Sequence, residues 1–221
     1  MWRLENLIFD VSGVLLNDLT TVWKADSDAY EACGMDKIES IEKFKKSFRL
    51  PIYDYHRAMG VLDSQIPKIE AEYRKAYLRY DNLIQVFPEV KTVLQKLRQD
   101  KFVLAIASNI PSFFLEEHLR RFRINKFFDV VTGQEDSTEQ KPSPQPILVT
   151  LRKLGASPER SAYIGDMEED IIAGKRAHVI TVAVSRPESY HPAWRLKRQN
   201  PDFLISDLNE LITVVSKLNL F

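Results

Sequence analysis

The chain has 221 residues, and its 31 Lys plus Arg balance 31 Asp plus Glu for a formal net charge of zero. That length holds one large domain or a core carrying a smaller insertion, and the charge balance argues against a protein that grips nucleic acid through a basic surplus. At 44% hydrophobic and 28% charged, the composition lies far from the disordered class, and no apolar run approaches the ~20 residues of a membrane-spanning helix. The single cysteine, Cys33, excludes an internal disulfide and a multi-cysteine zinc site. The opening MWRLENLIFD puts Glu5 and Asp10 where a signal peptide needs an apolar stretch, so a cytoplasmic location is expected.

In chain order, Leu7–Val11 is a short apolar run that predicts a buried strand, with Gly13 just beyond it. From about 16 to 84 no convincing buried strand follows. Helical patterns cover Thr20–Cys33, Ile38–Lys46 and Asp63–Tyr80, and Phe48–Met59 between them reads as irregular. Cys33, beside Ala29 and Ala32, reads as core. Strands and helices then alternate. Pro88–Gln99 is helical, with Val90, Val93, Leu94 and Leu97 at helical spacing, and Phe102–Ala107 is a strand. Ser112–Phe122 (helix), Phe128–Thr132 (strand), Pro144–Leu154 (helix), Ala162–Gly165 (strand), Glu168–Arg176 (helix) and Val179–Val184 (strand) continue the pattern. A polar loop over Ser185–Gln199 leaves room for a short helix before the strand Phe203–Ile205 and the helix Asp207–Leu218. The alternation predicts a doubly wound parallel α/β core, Rossmann-like, from residues 1–15 and 85–221, with a small helical cap inserted at 16–84.

In an open parallel sheet, ligands bind at the carboxyl ends of the strands near a topological switch point. The residues standing there are Asp10, Ser12 and Gly13, then Ser108 and Asn109, then Lys141 across a short loop, then Asp166 and Asp170. The carboxylates suit a hard cation such as Mg²⁺. A lysine and a hydroxyl beside it suit a phosphoryl group, whose charge spreads over its equatorial oxygens during transfer. A carboxylate can also attack as nucleophile. Asn109 is expected to support its neighbours, and Ser108 can also cap the helix beyond Pro111. Arg49, His56 and Arg57 are candidate substrate contacts, although surface or packing roles are commoner for such residues. Tyr73, Tyr77 and Tyr80, at helical spacing, read as packing within the cap. His118, His178 and His191 are scattered and suggest no metal cluster.

FDVSGVL, LAIASN, KPSP and YIGDMEEDIIAG, in this order, resemble the haloacid dehalogenase superfamily over essentially the whole chain. PEVKTVLQKLRQDKFVLAIASN and GDMEEDIIAGKRAHVITVAV resemble its phosphoglycolate-phosphatase-like branch. The resemblance implies a Mg²⁺-dependent hydrolase of a small phosphorylated metabolite that works through an aspartyl-phosphate on Asp10. Ser108 and Lys141 would bind the phosphoryl group, with Asn109 beside them. Asp10, Asp166, Asp170 and the backbone carbonyl of Ser12 would hold the metal. It further implies a cap that closes over substrate and a monomer or homodimer, with no membrane or nucleic-acid partner. Family phosphatases carry an Asp at the position of Ser12, as general acid and base worth ~10²–10⁴-fold. Its absence raises two alternatives: a silent binding or regulatory protein, and a phosphonatase-like C–P hydrolase needing a Schiff-base lysine from among Lys24, Lys37, Lys43, Lys45 and Lys46. His56 is a substitute proton donor.

Overall fold

The computed structural model describes residues 3–220. Its elements are β1 (Asn6–Phe9), β2 (Leu16–Asn17), α1 (Leu19–Ala32), α2 (Ile41–Ser47), α3 (Ile52–Ala58), α4 (Ile66–Tyr80) and β3 (Gln85–Val86). Then come α5 (Val90–Gln99), β4 (Val103–Ala107), α6 (Ser112–Arg121), β5 (Val130–Thr132), α7 (Gln145–Leu154), β6 (Ser161–Gly165) and α8 (Glu168–Arg176). The chain ends through β7 (Ile180–Val184), α9 (Ala193–Arg198), β8 (Phe203–Ile205) and α10 (Asn209–Leu218).

Six strands form one parallel sheet in the order β5-β4-β1-β6-β7-β8. Each strand is a β-branched or aromatic run that alternates between two covered faces. On β1, Leu7 and Phe9 join the cluster containing Leu104, Ile106, Leu94 and Leu211. Ile8 points the other way, into the cluster of Ala105, Tyr163, Ile147, Leu151 and Ala173. Helices therefore cover both faces, and each buried Leu or Ile contributes roughly 1.5–3 kcal/mol. The strand order reverses direction at β1, which makes the carboxyl end of β1 the switch point. Phe9 pairs with Ile106 on one side and Ile164 on the other, so the residues just beyond these three strands lie side by side.

The four helices between β2 and β3 stand outside this sheet. The two short strands pair only with each other, antiparallel, where the chain leaves for the helical segment and returns. α1 and α4 pack along one another, and their buried residues Val22, Ala25, Ala29, Ile69, Ala76 and Tyr77 belong to one apolar cluster. The stretch expected to be irregular, Phe48–Met59, contains the two-turn helix α3. It lacks an apolar period because Tyr55 and His56, adjacent in sequence, are its buried residues. Pro51 is its N-cap residue, and Asp54 in its first turn and Arg57 in its last complement the helix dipole. Cys33 is half-buried and packs against the core.

Candidate active site

β1 stops at Phe9, and the next side chain, Asp10, is 5% exposed. Lys141 comes from the connection between β5 and α7 and is 1% exposed, a degree of burial lysine tolerates only when paired. Its Nζ lies 3.0 Å from Asp10 Oδ2 and donates to Asp170 Oδ1 (2.7 Å) and to the Tyr163 hydroxyl (2.9 Å). Tyr163 in turn donates to the Ala107 carbonyl (2.8 Å). Burial alone would lower the Lys141 ammonium, but the charges of Asp10 and Asp170 outweigh it and hold the group well above the ordinary lysine range. Burial pushes Asp10 up, and Lys141 pulls it partly back. Asp170 lies in the first turn of α8, where its Oδ2 accepts from the backbone N–H groups of Asp166 (3.0 Å) and Met167 (2.9 Å).

The donor set fits a divalent cation. Asp10, Asp166 and Asp170 each present an oxygen within 4.8 Å of the others. Asp10 Oδ1 and Asp166 Oδ1 are buried without a hydrogen-bond partner, an expensive state for a carboxylate unless a positive charge faces it. Burial and the like charge of Asp170 push Asp166 well above the usual carboxylate range. Gly13, at φ +69°, makes this packing possible: a Cβ there would lie 2.1 Å from Asp166 Oδ2. Glu168, Glu169 and His191 also converge, but both ring nitrogens of His191 are engaged. Nδ1 accepts from the Glu168 N–H (3.0 Å) and Nε2 donates to the Phe48 carbonyl (3.0 Å). Burial lowers His191 to about 3, so it is neutral. Together with Glu169 accepting from the Leu50 N–H (3.1 Å) and Arg195 donating to the Phe48 carbonyl (3.1 Å), it fastens the segment before α3 to the sheet domain.

Ser12 does not stand alone. Its hydroxyl donates to Asp18 Oδ2 at 2.6 Å. Asp18 occupies the N-cap position of α1 but makes no capping bond with its side chain; its Oδ1 instead accepts from the Tyr190 hydroxyl (3.0 Å). The Tyr190 N–H donates to Asp166 Oδ2 (2.6 Å), linking this pair to the acidic cluster. Burial raises Asp18 to about 6, with the Ser12 and Tyr190 hydrogen bonds holding it back. Neither Asp18 nor Tyr190 is among the residues expected from sequence.

A cavity of about 250 Å³ opens above this rim. Asp10, Ser12, Asp18, Ser108, Asn109 and Lys141 form its floor, whereas Asp166 and Asp170 are not part of the lining. Asn109 Oδ1 accepts from the Lys141 N–H (3.4 Å), the supporting contact expected of it, and its buried Nδ2 has no partner. Ser108 Oγ accepts from the Ile110 N–H (3.3 Å) and does not cap α6, whose N-cap residue is Pro111. The helical segment supplies the roof. Tyr73 and Tyr77 line the cavity instead of serving only as packing, while Tyr80 donates to Asp28 outside it. His56 also lines it; its Nδ1 sits 2.9 Å from the Tyr30 hydroxyl, and burial lowers it to about 4. Arg49 and Arg57 do not reach it, Arg57 being paired with Asp63 (2.8 Å). None of Lys24, Lys37, Lys43, Lys45 and Lys46 lines it, so no Schiff-base lysine faces the rim.

The sequence profile of haloacid dehalogenase-like hydrolases matches residues 7–184. The chain is 29% identical over 220 residues to the pyrophosphatase PpaX of Oceanobacillus iheyensis, a match spanning 96% of this chain and 97% of that protein. Among solved structures, the predicted phosphoglycolate phosphatase of Haemophilus somnus superposes with a TM-score of 0.84 at 20% identity, covering 97% of this chain and 99% of that one. A hydrolase from Pseudomonas syringae superposes at 0.85 with 18% identity, covering 97% and 99%. At these identities the solved structures speak to the fold.

Proposed function

The chain belongs to the haloacid dehalogenase-like hydrolase family, and on that premise we propose that it is a phosphatase of small phosphorylated metabolites that uses Asp10 as nucleophile. The observation that carries this reading is the Asp10–Lys141–Asp170 arrangement: a buried carboxylate at the cavity floor, held by a buried ammonium, with one oxygen left without a partner. In the first step an Asp10 oxygen bonds to phosphorus as the bond to the substrate's leaving oxygen breaks. In the second, a water oxygen attacks phosphorus, loses its proton and regenerates Asp10 with release of phosphate. Lys141, the free Asn109 amide and the Ser108 hydroxyl face the charge developing on the phosphoryl oxygens, and such donors often cost ~10²–10³-fold in rate to remove. A divalent cation held by Asp10, Asp166 and Asp170, Mg²⁺ in the family this chain resembles, would neutralise part of that charge.

The leaving oxygen needs a proton, and the Ser12–Asp18 pair supports a way to deliver it. Protonated Asp18 donates to Ser12 while Ser12 donates to the leaving oxygen, and that proton departs with the alcohol; in the second step the attacking water gives a proton to Ser12 as Ser12 returns one to Asp18, which restores both groups. A carboxyl near 6 is matched to both halves at neutral pH. This relay answers the motif that favoured a silent protein. The same reading takes residues 16–84 as a cap over a core of 1–15 and 85–221, and places the protein in the cytoplasm; among the described residues no helix is long and apolar enough to cross a membrane. A panel of small phosphoesters with Mg²⁺ tests the assignment. Asp10→Asn is expected to abolish phosphate release, and full activity in that variant would refute the covalent route.

A further inference from the structure

Building on the phosphatase reading, we propose that Asp26 forms a cation subsite in the same cavity and selects phosphomonoesters whose alcohol carries a terminal amine.

Asp26 lies on α1 two turns beyond Asp18, about 12 Å along the helix at 1.5 Å per residue. It is 2% exposed and belongs to the cavity lining. Its Oδ2 makes no well-formed hydrogen bond, and its nearest polar neighbour is the Tyr55 hydroxyl, itself without another well-formed bond. Burial raises Asp26 to about 7, the nearby Tyr55 hydroxyl offsetting part of the rise. A carboxyl in that state ionises readily when a cation arrives.

The surrounding charges decide which cation-bearing or anion-bearing ends the cavity accepts. Lys141 is committed to Asp10 and Asp170 at the floor. His56 is held neutral by burial. The remaining cation of the lining, Arg74, is exposed and shares α4 with Glu70, one turn earlier, which also lines the cavity. The buried roof therefore offers a second phosphate or a carboxylate no fixed positive charge. It offers an ammonium the carboxylate of Asp26 and the aromatic side chains of Tyr73 and Tyr77 in the same lining. The distance along α1 from the Ser12–Asp18 pair matches a substrate that bridges the two ends. The cavity volume admits such a molecule but not a polymer.

The test compares kcat/KM for aminoethyl, aminopropyl and aminopentyl phosphate with ethyl, propyl and pentyl phosphate, and with inorganic pyrophosphate. At one chain length or more, the wild-type protein is expected to favour the amine ester by roughly 10–100-fold, the range of a charge-assisted contact in a buried site. Asp26→Asn is expected to bring that ratio to within about threefold of unity. The wild-type ratio needs no variant to fold. Equal values for amine and neutral esters at every length, or a preference for pyrophosphate, would overturn the proposal. Calorimetric binding of the same esters to Asp10→Asn separates the two readings. Selective binding of amine esters with no ester hydrolysed by the wild type would sink the phosphatase assignment and keep the subsite. Hydrolysis without selectivity would do the reverse, and neither binding nor hydrolysis would remove both.

Discussion

Asp26→Asn is also a test of the electrostatics inferred for the roof, independent of any substrate. An Asp that titrates near 3.8 in the unfolded chain and near 7 in the fold keeps its proton in the native state over a range where the unfolded state has lost it. The native state thus binds more protons, and stability falls as pH rises. The contribution is fully present below 3.8, declines from there to about 7, and is flat above. At 1.36 kcal/mol per unit, the decline amounts to about 4 kcal/mol in all, of which about 2.7 falls between pH 5 and pH 8. Asn at this position has nearly the same shape and no proton to lose. The difference in Tm, variant minus wild type, is therefore expected to grow between pH 5 and pH 8 by about 5–10 °C, at ~2–4 °C per kcal/mol for a chain of this size. Asp18 and Glu169, raised to about 6 and about 7 by burial, tilt both proteins alike and cancel in the comparison. Thermal melts by circular dichroism in chelator-treated samples at four pH values suffice. A Tm difference that stays constant with pH would show that the Asp26 carboxyl is solvated and charged in the fold, which would refute the burial argument.

Two further outcomes follow from the site. Asp18→Asn and Ser12→Ala each break the proposed relay, so each is expected to slow alkyl phosphates by up to ~10²–10⁴ while aryl phosphates, which leave without a proton, suffer far less; the double variant should be no slower than the worse single one, and independent multiplicative losses would refute the relay. Lys141→Met leaves Asp10 and Asp170 facing each other with no buried cation between them, a loss expected to cost roughly 3–5 kcal/mol in urea unfolding, and a change under about 1 kcal/mol would mean that water enters the floor and screens both carboxylates.

The sheet and its rim were legible because both are written in short-range patterns. A strand buried on both faces shows as an apolar run, and the residues that follow it, such as Asp10, Ser108 and Asp166, stand at its carboxyl end whatever the rest of the chain does. Lys141 was found through its motif, not through pattern, since an isolated lysine before a proline reads as surface; its burial depends on carboxylates 131 and 29 positions away. The roof was harder. α3 hid because two adjacent residues, not a helical stripe, face inward. Asp18 sits where an Asp ordinarily caps a helix, and its turn toward Ser12 depends on Tyr190, 172 positions away. One signal was available: Asp18, Val22, Asp26 and Tyr30 recur at a spacing of four on α1, so two acids lie in a row that is otherwise buried and apolar.

That row has a physical consequence. Asp10, Asp18, Asp26, Asp166 and Glu169 are all pushed upward by burial, and a fold selected only for stability gains nothing by keeping them, because a buried acid replaced by an apolar group of similar size is often neutral or stabilising. Their positions differ in how the strain is answered. Glu169 accepts a backbone N–H and helps fasten the helical segment; Asp18 is answered by Ser12 and Tyr190. Asp10, Asp26, Asp166 and Glu169 each retain an oxygen with no hydrogen-bond partner, that of Glu169 lying 3.6 Å from His191 Nδ1 and outside the cavity lining. Asp10 and Asp166 converge with Asp170 on a common point, where one divalent cation would satisfy both. Asp26 stands apart from that cluster, on the roof of the cavity, and under the subsite proposal the cation that satisfies it arrives with the substrate. Unanswered carboxylate at two separate places around one cavity thus argues for two positive charges of different origin, one bound by the protein and one carried by the molecule it hydrolyses.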